Sequence, residues 1–209
     1  MPTLTGDFVA RTEDATKCAD LHSFKCGPGT IFPKAEKEVD NIVSVCCAGV
    51  PPRQNTIIRV TREEPPGAIV GVTGLERGGL TIQHPKYTPH AYKDAAYVAV
   101  IGLSEHYRDD QDSFRTKYGG RLGDFLLHDL LLHVKKTWRG GMPWVLALVD
   151  PANNASRLLF ERHDFELFID LGPGSDALFR RPKNLKVPPL DGVGNPRLPA
   201  GFRSRRPGR

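Results

Sequence analysis

Ala96-Tyr97-Val98-Ala99-Val100-Ile101-Gly102-Leu103, then a polar loop, then Tyr118-Gly119-Gly120-Arg121-Leu122-Gly123 and the leucine-rich run that follows to Leu132: the reading of this stretch decides how the chain folds. Its first eight residues are almost wholly apolar and bounded by polar sequence, as in a buried strand. Leu122, Leu126, Leu130 and Val134 recur at i, i+4, i+8 and i+12 and are flanked by Phe125, Leu127 and Leu131, so this part reads as a helix with a broad apolar face. His128 and His133 fall between the leucines; they are expected on the solvent side, with no role. Glycines at a helix start let the backbone turn tightly, and the first helical amides have no partner within the helix. With the positive end of the helix dipole, those amides attract an anion. A strand feeding a glycine turn that opens a helix is therefore a cradle suited to a phosphorylated cofactor.

The sequence on either side supplies the rest of a sheet. Toward the N-terminus, Phe8-Val9-Ala10 reads as a short strand, and Pro33 to Val45 has helical spacing at Val39, Ile42, Val43 and Cys46. Thr56–Thr61 and Ala68–Leu75 are β-branched runs joined by Glu63-Glu64-Pro65-Pro66-Gly67, a hairpin. Glu76 to Asp94, with two prolines and two histidines, reads as a long irregular loop. Toward the C-terminus, Trp144–Val149 is a strand and Pro151–Glu161 a helix with Ala152, Ala155, Leu158 and Leu159 inward. Phe165–Leu171 and Ala177–Arg180 are a final strand pair. This order predicts an α/β (α+β) fold, a mixed sheet with helices on both faces.

The bulk properties narrow the classes. A chain of 209 residues with 39% hydrophobic and 25% charged residues suits one domain with an ordinary core. No apolar run is long enough to cross a membrane, and Met1–Asp7 has neither a basic nor an apolar signal region, so a cytoplasmic protein is expected. The net charge of +5 resides in the tail. From Pro182 onward seven basic residues face one acid, leaving 22 basic and 23 acidic residues in 1–181. We therefore expect one domain over 1–181 and a flexible, Pro-rich basic tail over 182–209. Such a tail can hold phosphate-rich partners loosely. Cys18, Cys26, Cys46 and Cys47 form no metal-binding spacing and read as reduced, mostly buried thiols.

Three phosphate cradles are weighed against the glycine turn. A Walker loop needs Gly-Lys-Ser/Thr, and a dinucleotide fingerprint needs Gly-x-Gly-x-x-Gly; Gly119-Gly120-Arg121-Leu122-Gly123 is neither. The third is a coenzyme A pyrophosphate loop, and here the order of elements agrees. At this point the chain resembles the GNAT superfamily of acyl-CoA N-acyltransferases. Ile101-Gly102-Leu103, Tyr107-Arg108, the glycine turn and Leu126-Leu127 stand where that family's cofactor motif runs. Asn153-Asn154-Ala155 through Phe160 to Asp164-Phe165 stands where its second motif runs. The resemblance covers about residues 56–181.

The resemblance implies a mostly antiparallel sheet with a splayed strand pair, and acetyl-CoA held by Ile101, Gly102, Leu103, Arg108, Tyr118, Gly119, Gly120, Arg121, Leu122, Gly123, Asn153 and Phe160. It implies direct attack of an acceptor amine on the thioester, with Glu105 and His106 the candidates for the base, no metal, and a homodimer as one assembly. Phe24-Lys25-Cys26-Gly27 and Leu126-Leu127-His128-Asp129-Leu130-Leu131 further resemble the GNAT toxins that acetylate aminoacyl-tRNA, which makes tRNA an alternative partner. The sequence departs from the family pattern in five ways: Asp109–Lys117 are inserted, Tyr118 stands where the family has Arg or Gln, Arg121 stands at the middle glycine, Phe160 replaces the tyrosine that protonates the leaving thiolate, and Asp164 replaces a glycine. A non-catalytic acyl-CoA-binding or partner-binding domain is the remaining alternative.

Overall fold

The apolar run at Ala96 becomes the second half of β4 (Tyr87–Leu103), the middle strand of the sheet in the computed structural model. The structure describes residues 10–15, 19–26, 33–47, 56–63, 67–84, 87–108, 121–170, 176–184 and 186–187. Within them β1 (Ala10–Asp14), β2 (Thr56–Glu63), β3 (Ile69–His84), β4, β5 (Trp144–Val149), β6 (Glu166–Ile169) and β7 (Ala177–Arg181) form one sheet in the order β1-β2-β3-β4-β5-β7-β6. All neighbours are antiparallel except β4 and β5. The sheet is thus mixed and mostly antiparallel, with helices on both faces.

Glu76–Asp94, expected as a loop, is mostly strand. β3 and β4 run on as two long arms, with Gly78 opposite Ala95 and His84 opposite Tyr87. Backbone pairing along a hairpin supplies ladder bonds that polar composition does not reveal, which is why the prolines and histidines were misleading.

One face is covered by α3 (Leu122–Thr137) and α4 (Asn154–Arg162), the other by α1 (Pro33–Cys47). Leu122, Leu126, Leu127, Leu130, Leu131 and Val134 of α3 are at most 1% exposed; truncating any one of them to alanine costs about 2–5 kcal/mol. Leu127, Leu130, Leu131 and Val134 pack on Leu75, Ala96, Val98 and Val145. On the opposite face Val39 and Val43 of α1 meet Ile58, Val60, Val72 and Val100. The one-turn α2 (Glu105–Arg108) follows β4, and Tyr107 anchors it beside Val70 and Leu122. No helix among the described residues is long and apolar enough to cross a membrane.

His128 is 9% exposed and so is buried rather than solvent-facing. His133 is half-buried, its Nδ1 3.1 Å from Arg59 Nη1. The apolar face of α3 is wide enough to enclose residues at its border. In α4 the inward side chains are Leu159 and Phe160, while Ala152, Ala155 and Leu158 are exposed. The helix begins three residues later than its composition suggested, and this rotates its inward face.

Candidate functional site

Two features of β4 build the site. Leu75 of β3 pairs with Val98, but Gly74 pairs with Val100, so Ala99 is an extra, unpaired residue: a β-bulge. Before it Ala96 and Val98 join the core under α3; after it Val100 lies under α1, and Ile101 and Leu103 turn toward the α3 side. The second feature is the end of pairing with β5. The parallel ladder stops at Val98↔Ala147, although β4 continues to Leu103 and β5 to Val149. From the bulge onward the two strands part.

The parting opens a groove. One cavity of about 230 Å³ is bordered by the bulge, by Leu148 and Val149 of β5 and by Phe160 of α4. A second, of about 170 Å³, continues along Ile101-Gly102-Leu103 to Arg121 and Gly123 at the start of α3. The cavities share Ala35, Val39, Ile101, Asn153, Ser156 and Leu159, so they form one channel from the parted strands to the α3 N-terminus. α1 closes its other wall by packing directly on β4. A β-carbon at Gly102 would lie 2.9 Å from Val39 Cγ1 and 3.0 Å from Cys26 Sγ.

The α3 end of the channel brings together Arg121 and Arg162, with Glu36 the carboxylate among its described lining residues. Arg121 is the N-cap residue and its side chain makes no capping bond, so no N-cap side chain occupies the first amides of the helix. Arg162 from α4 lines the same end, held by Asp124 at 2.9 Å. Asp124 is 1% exposed, and His163 Nε2 lies 3.3 Å from the same carboxylate oxygen. Burial alone would raise its pKa, but the bonds from His163 and Arg162 outweigh burial and hold it below the usual carboxylate range. This cluster ties the start of α3 to the end of α4. Asn153 caps α4, its side-chain oxygen accepting from Ser156 N at 3.0 Å.

Of the residues named from sequence, Ile101, Gly102, Leu103, Arg121, Gly123, Asn153 and Phe160 border the channel. Leu122 is buried beneath it. Arg108 is the last residue of α2, and Tyr118, Gly119, Gly120 and the insertion Asp109–Lys117 lie outside the described residues. Glu105 and His106 are exposed on α2, and neither is among the residues that line the channel. Sequence reading passed over the α1 wall. Glu36, one turn before Val39 on the inward side of the helix, is 2% exposed and borders the channel. Its i, i+3 relation to Val39 was the available signal. Among the described residues there is no cluster able to hold a metal ion.

The fold that carries this channel is similar to that of solved proteins. The chain is similar to a bacterial toxin (TM-score 0.53, 13% identity, 83% of this chain and 90% of that one). It is also similar to a candidate acetyltransferase of the GNAT family from Desulfovibrio desulfuricans (TM-score 0.50, 12% identity, 82% and 98%). The fold is that of the GNAT acyltransferases. No family model and no curated protein matches the sequence. The strands that part are β4 and β5, α3 starts at Leu122 and α4 at Asn154, within the two stretches on which the resemblance was drawn from the sequence.

Proposed function

We propose that the protein is an acyl-CoA-dependent N-acyltransferase, acetyl-CoA being the first donor to test. The observation that carries this reading is the channel, which joins an anion-attracting helix end to a gap between parallel strands. A pyrophosphate at Arg121 and Gly123 would meet the α3 amides and the positive end of its dipole. A pantetheine arm along Ile101–Leu103 would find β4 backbone that has no β5 partner there, and amide groups are what such backbone can bind. The thioester would then lie at the bulge, where an acceptor amine can attack it.

Acetyl-CoA should raise the melting temperature in a concentration-dependent way, since a ligand that binds only the folded chain stabilises it by RT ln(1 + [L]/Kd). Thiol release with an amine acceptor should accompany binding. No shift with acetyl-CoA or with longer acyl-CoAs would sink the reading. A shift without thiol release would instead favour a non-catalytic binding domain, which Phe160 keeps open as a reading. Acetylation of aminoacyl-tRNA is a third reading. It draws on the similarity to a bacterial toxin and on the placement of Phe24 and Cys26, both buried, against α1 and β4. Aminoacyl-tRNA belongs among the acceptors tested.

A further inference from the structure

An amine that displaces coenzyme A leaves a thiolate, and the residue at the family's proton-donor position here is Phe160. It has become core: 6% exposed, with ring centroids 4.9 Å from Phe165 and 6.4 Å from Phe179. If this chain transfers acyl groups, a proton must come from elsewhere. The described side chains that line the cavity at the strand parting include the carboxylates of Glu38, Asp150 and Asp176, with Asn153 and Ser156. An ionised carboxylate only accepts, and an amide or aliphatic hydroxyl yields its proton reluctantly. The other hydroxyl is that of Tyr97.

The geometry points to Tyr97 as the proton donor to the leaving thiolate, acting from β4, two residues before the bulge, in place of the tyrosine that α4 lacks. The inference rests on the N-acyltransferase reading and deepens it. Tyr97 stands opposite Leu146, one pair before the β4–β5 ladder ends at Val98 and the strands part. It lines the cavity at that gap and also a second cleft of about 310 Å³ on the α1 side, bounded by Glu38, Asn41, Glu76 and Ala99. A donor at this junction faces the acyl channel on one side and an acidic entrance on the other. The charged groups around it are Glu38 from α1, Glu76 from β3 and Asp176 before β7. Burial first, then these carboxylates, push its phenol up to about 12, so it keeps its proton throughout the neutral range.

The proton ledger closes. An acceptor ammonium gives one proton to Glu76, which lines the entrance cleft and not the cavity at the strand parting, and the neutral amine attacks the thioester carbon. As the tetrahedral centre collapses, the carbon–sulfur bond breaks and the thiolate takes the Tyr97 proton. The phenolate recovers a proton from the new amide nitrogen, and the carboxylate returns its own to solvent. One proton is released per turnover.

The test uses Tyr97→Phe in the full chain, with acetyl-CoA and an amine that the wild type accepts. A melting temperature close to wild type is expected, because the ring is retained. General acid catalysis is typically worth about 10²–10⁴-fold, so kcat should fall by about 10²-fold or more while the acetyl-CoA KM stays within a few-fold. With an acetyl thioester of a more acidic thiol, which needs no proton on leaving, the deficit should shrink. A packing role would not respond to the leaving group. Equal kcat in Y97F, or a deficit that is the same with both donors, overturns the proposal. Should the variant not fold, the wild type answers by its solvent deuterium isotope effect on acetyl transfer: above unity supports proton donation in the slow step, and unity overturns it. A wild type that binds acetyl-CoA yet releases no thiol with any amine overturns both this inference and the enzyme reading. An active wild type with an equally active Y97F overturns this inference alone.

Discussion

Asp164 shows how one residue can break a sequence pattern and keep its geometry. It stands where the motif that the sequence resembles carries glycine, and has φ 63°, in the left-handed region just after α4. Glycine enters that region freely, aspartate tolerates it, and a β-branched side chain does not. Asp164→Val and Asp164→Gly both lose the carboxylate that lies 3.6 Å from the buried Arg181, so both should destabilise, and Asp164→Val should be the worse by at least about 1 kcal/mol because it also strains the backbone. Chemical denaturation of the two variants checks both. The buried Asp124 makes a second prediction. Its folded pKa lies below the reference 3.8, so its contribution to stability is present above that pH and is lost as the pH falls through it. Asp124→Asn should lose about 3 kcal/mol at neutral pH, because Arg162 and His163 lose their charged partner. Melting temperature against pH should also fall less steeply below pH 4 in the variant than in the wild type. Neither position was legible as structural beforehand. A lone aspartate in a leucine-rich run reads as solvent-facing until its partners, 38 and 39 residues away, are folded against it.

At the scale of elements, caps and close approaches decide the shape of the channel. Asn153→Ala removes the bond to Ser156 N and should cost about 1 kcal/mol. If acetyl-CoA lies between α3 and α4, its stabilising shift should shrink too, because the same helix end borders the channel. β4 and α1 touch at Gly102, where a β-carbon would press on Val39 and Cys26. Gly102→Ala should push α1 outward and cost about 1–3 kcal/mol, as overpacking does, measured as a drop in the denaturation midpoint. Most elements were readable from the sequence: β5 spans Trp144–Val149 and α1 begins at Pro33 as read, and α3 begins at Leu122, where its apolar stripe begins. The β3–β4 arms were not, because pairing between strands rewards composition that looks like a loop. The α4 face was misread because its cap sits at Asn153 and not at Pro151.

At the scale of the molecule, the proposed end of the domain shifts slightly. Arg181 is fully buried; its Nε donates to the His163 carbonyl oxygen at 3.0 Å and its Nη2 to that of Lys186 at 2.8 Å. Val187 packs on the core under α3. A chain ending at Arg181 should thus melt lower than one ending at Val187, a comparison that calorimetry makes directly. The sequence by itself determined most element types and their order, the outer arms of β3 and β4 and the one-turn α2 excepted, because apolar period is a local property of the chain. It also determined the resemblance, because the motif residues keep their order along the chain despite the insertion at Asp109–Lys117. Only the tertiary structure decided where the strands part, that Ala99 is a bulge, that Glu36 and Tyr97 face the channel, and that Phe160 has become core. Each of these depends on register between segments far apart in sequence, and register is a property of pairs of strands that neither strand carries alone.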